Sequence, residues 1–180
     1  MGFKEVLKTV SRIFEENKIP YMVIGGQAVL VYGEPRFTRD IDITIGVEPA
    51  QAEKIVEILE GFTPLVEDYK GFVEKTLVLP IIHNSHKIRV YVIFSFSEYE
   101  REAIKRARLV EVDGVNIRFA SPEDLIIHKI IAGRPRDLED IRTILNVVEK
   151  IDTRYIEKWL KFLGEGLNRD FLHISHSIKE

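Results

Sequence analysis

The first apolar pattern in the chain has helical spacing. Apolar residues recur three or four positions apart over residues 3–17, which predicts an amphipathic helix that ends before Pro20. The short apolar run 21–24 then predicts a strand. Gly25 and Gly26 follow, and residues 27–32 predict a short helix that is closed by the turn-forming sequence Gly33-Glu34-Pro35.

A second strand is predicted over residues 40–45, where polar and apolar side chains alternate. Asp40 and Asp42 alternate with Ile41, Ile43 and Ile45. Side chains two apart on a strand point to the same face, so the two carboxylates project together while the isoleucines are buried behind them.

The middle of the chain mixes helical and strand patterns. Pro49 begins a predicted helix that reaches about residue 60, and residues 97–107 predict another. Strands are predicted over 72–79 and 86–95, with a polar turn at 83–85. Residues 108–120 predict a hairpin whose two-residue turn is Asp113-Gly114.

The last third of the chain is predicted to be helical. Ser121 and Pro122 are an N-cap and a first helical residue, and Gly133 ends the helix that they begin. Two more helices are predicted at about 136–149 and 153–163, while the last fifteen residues have weak periodicity and are expected to fray. The element order predicts an α+β fold with a mixed β-sheet, flanking helices and a C-terminal helical segment. We expect one structural unit, with residues 1–120 as the core and 121–180 as helices packed on it.

Composition restricts the class of protein. The chain has 180 residues, 45% of them hydrophobic, and a net charge of −3, which gives no electrostatic argument for broad nucleic-acid binding. No cysteine is present, which excludes disulfides, thiol catalysis and zinc–thiolate sites. No run approaches the ~18–20 apolar residues of a membrane span, and no signal peptide is recognisable, so we expect a cytoplasmic protein without membrane contact. A charged fraction of 31% with few glutamines is typical of thermophile proteins.

The carboxylate pair and the glycine pair together indicate phosphoryl chemistry. Two carboxylates on one face repel each other unless a cation lies between them, and Mg²⁺ or Mn²⁺ is a suitable cation. The glycines let a phosphate approach backbone N–H groups at the start of a helix. Enzymes that transfer phosphoryl groups from a nucleotide commonly combine a divalent metal with backbone N–H groups that bind the phosphates. Each motif alone has a simpler interpretation, a solvated strand face for one and a turn for the other.

A second polar cluster lies at the junction between two predicted helices. Lys129, Arg134, Arg136 and Asp137 fall within nine consecutive positions. Lysine and arginine are phosphate-binding side chains. The simpler alternative is a salt-bridged corner in which Arg134 pairs with Asp137 at the start of the next helix.

Both clusters resemble the signature of the nucleotidyltransferase superfamily, in which a glycine pair precedes a strand with two alternating aspartates. The second cluster, SPEDLIIHKIIAGRPRDLED, is similar to a phrase found in abortive-infection nucleotidyltransferase toxins of the AbiEii type. The resemblance covers about residues 20–145. It implies that Asp40 and Asp42 hold a catalytic metal, that Lys129 is catalytic and faces the nucleotide phosphates, and that Asp137 helps to hold the site. Further nucleotide contacts are expected from the remaining residues of the two motifs: Gly25, Gly26, Gln27, Arg39 and Arg134.

One position departs from the superfamily pattern. A third carboxylate is expected on a later strand, and its slot on the 86–95 strand holds Tyr91. A phenol is protonated at neutral pH, so it is a poor metal ligand and a poor base. Three explanations stay open: the enzyme works with two carboxylates, it has lost catalysis and only binds nucleotide, or the substitution is particular to this chain.

The resemblance therefore predicts a metal-dependent nucleotidyltransferase. It would move a nucleoside monophosphate from an NTP to an acceptor hydroxyl, with tRNA, another RNA or a small molecule as acceptor, and it could belong to a toxin–antitoxin pair with an antitoxin protein as partner. The alternative is a catalytically degenerate module of the same fold that binds nucleotide or protein.

Overall fold

A seven-stranded mixed sheet forms the centre of the computed structural model, which describes residues 2–95 and 97–177. The strands lie in the order β3-β4-β5-β2-β1-β7-β6. Strand β2 runs parallel to β5, strand β1 runs parallel to β7, and the other neighbours are antiparallel. Their bounds are β1 Tyr21–Ile24, β2 Asp40–Ile45, β3 Phe62–Pro64, β4 Val78–His83, β5 Arg89–Phe94, β6 Arg108–Val112 and β7 Val115–Phe119.

Helices flank the sheet, and the last four form the C-terminal segment. Their bounds are α1 Gly2–Glu16, α2 Gly25–Tyr32, α3 Ala52–Ile58 (after the 3-10 turn Pro49–Gln51), α4 Tyr69–Thr76, α5 Glu98–Lys105, α6 Pro122–Ala132, α7 Pro135–Val147, α8 Thr153–Leu163 and α9 Glu165–Ser177. Helix α2 contacts β1 and β2 as well as α6 and α7, so it joins the sheet to the C-terminal helices. Within the two described ranges, no helix is both long and apolar enough to cross a membrane. The predicted α+β class with a mixed sheet is confirmed.

The hydrophobic core is continuous between the sheet and the C-terminal helices. A single cluster of buried apolar side chains reaches from Val6 in α1, through Ile43 at the sheet centre, to Leu125 in α6 and Ile174 in α9. Burial of apolar surface therefore stabilises the contact between the first 120 residues and the helices that follow.

The structure contradicts the predicted strand over residues 72–79. Residues 69–76 form helix α4, and β4 begins only at Val78. Asp68 is the N-cap, and its carboxylate accepts a hydrogen bond of 3.0 Å from the backbone N–H of Gly71. This cap satisfies an N–H group at the helix start and so favours a helix. The strand prediction was wrong because an apolar run of this length is compatible with either a helix or a strand.

Two local predictions are confirmed and two elements were missed. The hairpin turn lies at Asp113 and Gly114, which have φ angles of 48° and 80°. Ser121 caps α6 by accepting a hydrogen bond from the N–H of Asp124. The three-residue strand β3 is too short to give a pattern, and α9 is a helix of 13 residues where fraying was expected.

Candidate active site

A polar cleft of about 510 Å³ opens where β2, the start of α2 and the α6–α7 junction meet. Residues of both sequence motifs line it, together with the loop that precedes β2. Five of the lining side chains are cationic and three are carboxylates, so the wall carries an excess of positive charge. The lining consists of Gly25, Gly26, Arg36, Phe37, Thr38, Arg39, Asp40, Asp42, Lys129, Arg134, Arg136 and Asp137.

The glycine pair lies against the second aspartate. Gly25 is the first residue of α2 and has a φ angle of +63°, a region that L side chains rarely adopt. A Cβ atom at this position would overlap the carboxylate of Asp42. No side chain caps the start of α2, because the N-cap position is Ile24. The first N–H groups of α2 therefore lie beside Asp42 without a side-chain acceptor, as an anion-binding helix start requires.

Asp40 and Asp42 share one face of β2, as the alternating pattern predicts. Ile41 and Ile43 on the opposite face are completely buried. Burial raises the pKa of the Asp42 carboxyl, and the nearby Asp40 raises it further, while Lys129, Arg134 and Arg36 oppose the increase. Asp42 therefore ionises at a cost that a cation at this position would reduce.

Lys129 lies on the same side of the domain as Asp42, yet its ammonium group is already bonded. Its side chain is 4% exposed, and its Nζ lies 2.8 Å from Asp137 Oδ1 and 2.6 Å from Asp140 Oδ2. Arg134 also binds Asp137, with its Nε 2.7 Å from Oδ2. Burial acts to raise the pKa of Asp137, but the hydrogen bonds from Arg134 and Lys129 outweigh it and hold this pKa below its usual value. Lys129, Arg134 and Asp137 therefore form the salt-bridged corner and also line the cleft.

Two arginines that were not among the predicted site residues fix the loop before β2. Arg36 binds the buried Asp140 with two of its guanidinium nitrogens. Its Nε lies 2.8 Å from Oδ1, and its Nη2 lies 3.0 Å from Oδ2. Arg136 Nη2 donates to the backbone carbonyl of Phe37 at 2.9 Å. Asp140 accepts from both Arg36 and Lys129, so this loop and the α6–α7 junction form one charge network. The only sequence signal for Arg36 was its place just before the two aspartates.

Gln27 is not in the cleft. It lies on the wall of a separate apolar depression, beside Leu30 and Val31. Gly25, Gly26 and Gln27 are successive residues at the start of a helix, and the ~100° step per residue turns Gln27 away from the glycine backbone. Arg39 does line the cleft, and its side chain is exposed.

Tyr91 lies beside Asp42 on the neighbouring strand. The parallel register of β2 and β5 pairs Asp42 with Tyr91 and Asp40 with Arg89. The expected position of a third carboxylate is therefore next to the aspartate pair, as the sequence indicated, and a phenol is found there. In the described part of the chain, no three His, Cys, Asp or Glu side chains gather as metal ligands.

The donor set fits a divalent metal that prefers oxygen ligands. Mg²⁺ prefers oxygen ligands and is commonly bound by one or two carboxylates together with substrate phosphates and water, without a complete protein cage. Asp40 and Asp42 supply two carboxylates, and Asp42 lies against the uncapped, glycine-lined start of α2. The raised pKa of Asp42 fits a carboxylate whose charge is balanced when a cation binds.

Solved structures of low sequence identity share this fold. An antigenic nucleotidyltransferase-like protein from Paracoccidioides brasiliensis aligns with a TM-score of 0.60 at 15% identity, over 98% of this chain and 91% of that one. ANT(2")-Ia in complex with adenylyl-2"-tobramycin aligns with a TM-score of 0.58 at 18% identity, over 96% and 98%. The lincomycin-bound lincosamide antibiotic adenylyltransferase LnuA aligns with a TM-score of 0.56 at 16% identity, over 82% and 98%.

Family membership follows from the sequence comparison. No curated sequence matches the chain. A family model does match, over residues 2–165, and it describes nucleotidyltransferases of unknown function, DUF6036. Because the matched residues include the sheet, both motifs and helices α6 to α8, the chain belongs to this nucleotidyltransferase family.

Proposed function

We propose that the protein transfers a nucleoside monophosphate from an NTP to an acceptor hydroxyl in a reaction that depends on Mg²⁺ or Mn²⁺. The acceptor oxygen attacks the α-phosphorus, the bond from that phosphorus to the bridging oxygen breaks, and pyrophosphate leaves with the bond electrons. The proton of the acceptor hydroxyl passes to water or to the departing pyrophosphate. The observation that carries the proposal is the close approach of Asp42, which shares a face of β2 with Asp40, to the uncapped, glycine-lined start of α2.

Asp40 and Asp42 are the proposed metal ligands. When bound, the metal neutralises charge on the phosphate oxygens and stabilises the charge that develops as pyrophosphate leaves. The rigid β2 backbone keeps the two carboxylates on one face, between strands β1 and β5. Their position is therefore set before the nucleotide binds.

The proposed triphosphate contacts are the N–H groups of Gly25 and Gly26 and the cationic side chains at the cleft mouth. Arg134 is the best-placed of the predicted arginines, since 72% of its side chain is exposed although its Nε is bound to Asp137. Arg39 is exposed as well and can turn toward an anion. Lys129 contributes positive charge from behind this surface, at a position where its Nζ already has two carboxylate partners.

The acceptor is a separate part of the proposal. RNA, and tRNA in particular, is the acceptor that the toxin-like motif favours, and an antitoxin would then be the protein partner. A small hydroxyl compound is the second candidate, since one protein of the same fold is described in complex with adenylyl-2"-tobramycin and another as a lincosamide antibiotic adenylyltransferase. The test is to incubate the protein with each α-labelled NTP, Mg²⁺ or Mn²⁺, and total RNA.

Each result of this test has one interpretation. Label in RNA supports nucleotidyl transfer and identifies the acceptor class. Pyrophosphate release without labelled RNA supports transfer to a different acceptor. NTP binding without pyrophosphate release, over a range of RNA and small hydroxyl acceptors, supports the degenerate binding module and contradicts the catalytic proposal.

The matched variant is Asp40→Asn with Asp42→Asn. We expect it to lose Mg²⁺-dependent NTP binding and to keep its fold. At neutral pH it should be at least as stable as the wild type without ligand, because Asp42 ionises in a buried position beside a like charge. Since the pKa of folded Asp42 is raised, this gain should shrink as the pH falls through that pKa and the wild-type carboxyl takes up a proton. Unchanged NTP binding measured by calorimetry would show that the site is wrongly assigned.

A further inference from the structure

The exposed aromatic ring of Phe37 lies at the edge of the cleft, on the loop before β2, which is held by hydrogen bonds and an ion pair. Phe37 is 71% exposed, the largest exposure among the large apolar side chains described. It lines the cleft together with Asp40 and Asp42, and it also borders the apolar depression beside Leu30. An exposed phenylalanine contributes little to the core, so its position calls for another explanation.

The backbone around Phe37 is held at three successive residues. Arg36 is bound through its fork to the buried Asp140. The carbonyl of Phe37 accepts a hydrogen bond of 2.9 Å from Arg136. Thr38 Oγ1 donates to the carbonyl of Asp40 at 3.3 Å. The loop is thus fixed while the ring itself projects into solvent, which is how a binding surface is kept in a set position.

The loop that carries the ring is close to the proposed phosphate site, and the ring lines the same cleft as Gly25 and Gly26. The residues on either side of Phe37 approach the point where Gly26 would carry a Cβ atom: Thr38 Oγ1 at 2.5 Å and Arg36 Nη2 at 3.3 Å. A nucleoside is covalently joined to the phosphates that would bind at Gly25 and Gly26. A base attached to these phosphates therefore lies within reach of this rim.

The face of the ring is available to a planar partner. The guanidinium carbon of Arg39 lies 5.8 Å from the ring centroid, near the ~6 Å limit of a cation–π contact. Because Phe37 is 71% exposed, this contact covers only part of the ring. Aromatic side chains stack on any of the four bases, because every base has a π face.

We propose that Phe37 is the stacking platform for the nucleobase of the NTP, an inference that rests on the proposed function. Arg36 and Arg136 are positioning residues for this platform, since they fix the backbone on which the ring is carried. Stacking of this kind tolerates all four bases, so the platform provides affinity with little base preference.

The test compares NTPs with inorganic tripolyphosphate, in the presence of Mg²⁺ and without acceptor. Phe37→Ala should weaken binding of every NTP that the wild type binds by about ten- to a hundredfold, the effect of removing a base-stacking aromatic side chain. It should leave the affinity for tripolyphosphate within about twofold. Phe37→Leu should lose nearly as much NTP affinity as Phe37→Ala, whereas Phe37→Trp should keep it. Phe162→Ala is the matched control, because Phe162 is 64% exposed on α8 and is not part of the cleft lining.

Fluorescence gives a second readout. The chain has a single tryptophan, Trp159, which is 4% exposed. In Phe37→Trp, a base stacked on the new indole should quench its emission, and tripolyphosphate should not.

Three outcomes would overturn the platform. If wild type binds NTP and Phe37→Ala binds it equally well, the stacking assignment is wrong and the proposed function stands. If Phe37→Ala binds NTP like the wild type and is impaired only in a separate transfer assay with total RNA, the ring serves the acceptor and not the nucleobase. If the wild type binds neither NTP nor tripolyphosphate, the proposed function fails together with the platform.

Discussion

Replacing Lys129 by methionine separates a structural from a ligand-binding role of this lysine. The sequence resemblance implies that Lys129 contacts the nucleotide phosphates. Removal of a lysine that contacts only a ligand would have little effect on the free energy of unfolding. The structure gives a different expectation, because the Lys129 ammonium is buried between Asp137 and Asp140. Methionine has a similar unbranched shape, so Lys129→Met removes the charge and leaves most of the packing.

The magnitude follows from the contacts that are lost. Two charge-assisted hydrogen bonds disappear, and at ~1.5 kcal/mol each, the lower end for such bonds, the loss is about 3 kcal/mol. The lower end applies because neither carboxylate is stranded: Asp137 keeps Arg134, and Asp140 keeps Arg36. For a chain of this size, the melting temperature should fall by about 6–12 °C.

The measurement is thermal and urea unfolding of Lys129→Met beside a surface control. Lys161→Met is suitable, because Lys161 is 52% exposed and reaches Glu157 only at 4.0 Å. Such a surface pair contributes ~0–1 kcal/mol. A melting temperature of Lys129→Met within about 2 °C of wild type, together with a clear loss of NTP affinity, would refute this reasoning. Lys129 would then face the phosphates in solution.

Three further variants test single features of the site and the fold. Gly25→Ala should cost more stability than Gly61→Ala: both glycines have positive φ, but only at Gly25 would the new Cβ overlap a side chain, that of Asp42. Urea unfolding of both should give ~1–2 kcal/mol for Gly61→Ala, and an equal loss at Gly25 would contradict the close approach. Tyr91→Asp places a carboxylate beside Asp42 and should raise the transfer rate by ~10²–10⁴-fold if that carboxylate acts as the base; an unchanged rate in a folded, NTP-binding variant would place the base elsewhere. Burial lowers the pKa of His128, so the unfolded chain binds the proton more readily, and wild-type stability should fall as pH drops below ~6.5. His128→Phe keeps a ring at this position and should flatten that part of the pH profile, measured by urea unfolding.

Much of the fold could be predicted because several elements carry independent signals. The alternation in β2, the Asp113-Gly114 turn and the Ser121-Pro122 helix start each combine a pattern with a specific local interaction. Helix α4 could not be predicted in this way. Its apolar run is compatible with either a helix or a strand. The hydrogen bond from the backbone N–H of Gly71 to the Asp68 side chain favours the helix, and the sequence pattern does not show this bond. Strand β3 forms because β4 is available to pair with it, which is a tertiary effect.

The candidate site was predictable where the partners are near in sequence. Asp40 and Asp42 are two positions apart, and the spacing of three positions between Arg134 and Asp137 is enough to suggest their salt bridge. The pairing of Arg36 with Asp140 joins residues 104 positions apart, and no local pattern indicates it. The orientation of Gln27 was also missed, because proximity to the glycines in sequence does not give the direction of a side chain on a helix.

The arrangement of charge supports the proposal that one cleft binds both a metal and a triphosphate. Carboxylates alone would hold a cation and repel phosphates, whereas cationic side chains alone would hold phosphates without a metal. Here the two kinds of charge come from different elements: Asp40 and Asp42 from β2, and the arginines from the preceding loop and the α6–α7 junction. Asp140 binds Arg36 and Lys129 at once, so it ties the loop to the junction. The cationic wall is thereby fixed opposite the carboxylates, and binding need not first bring the two together.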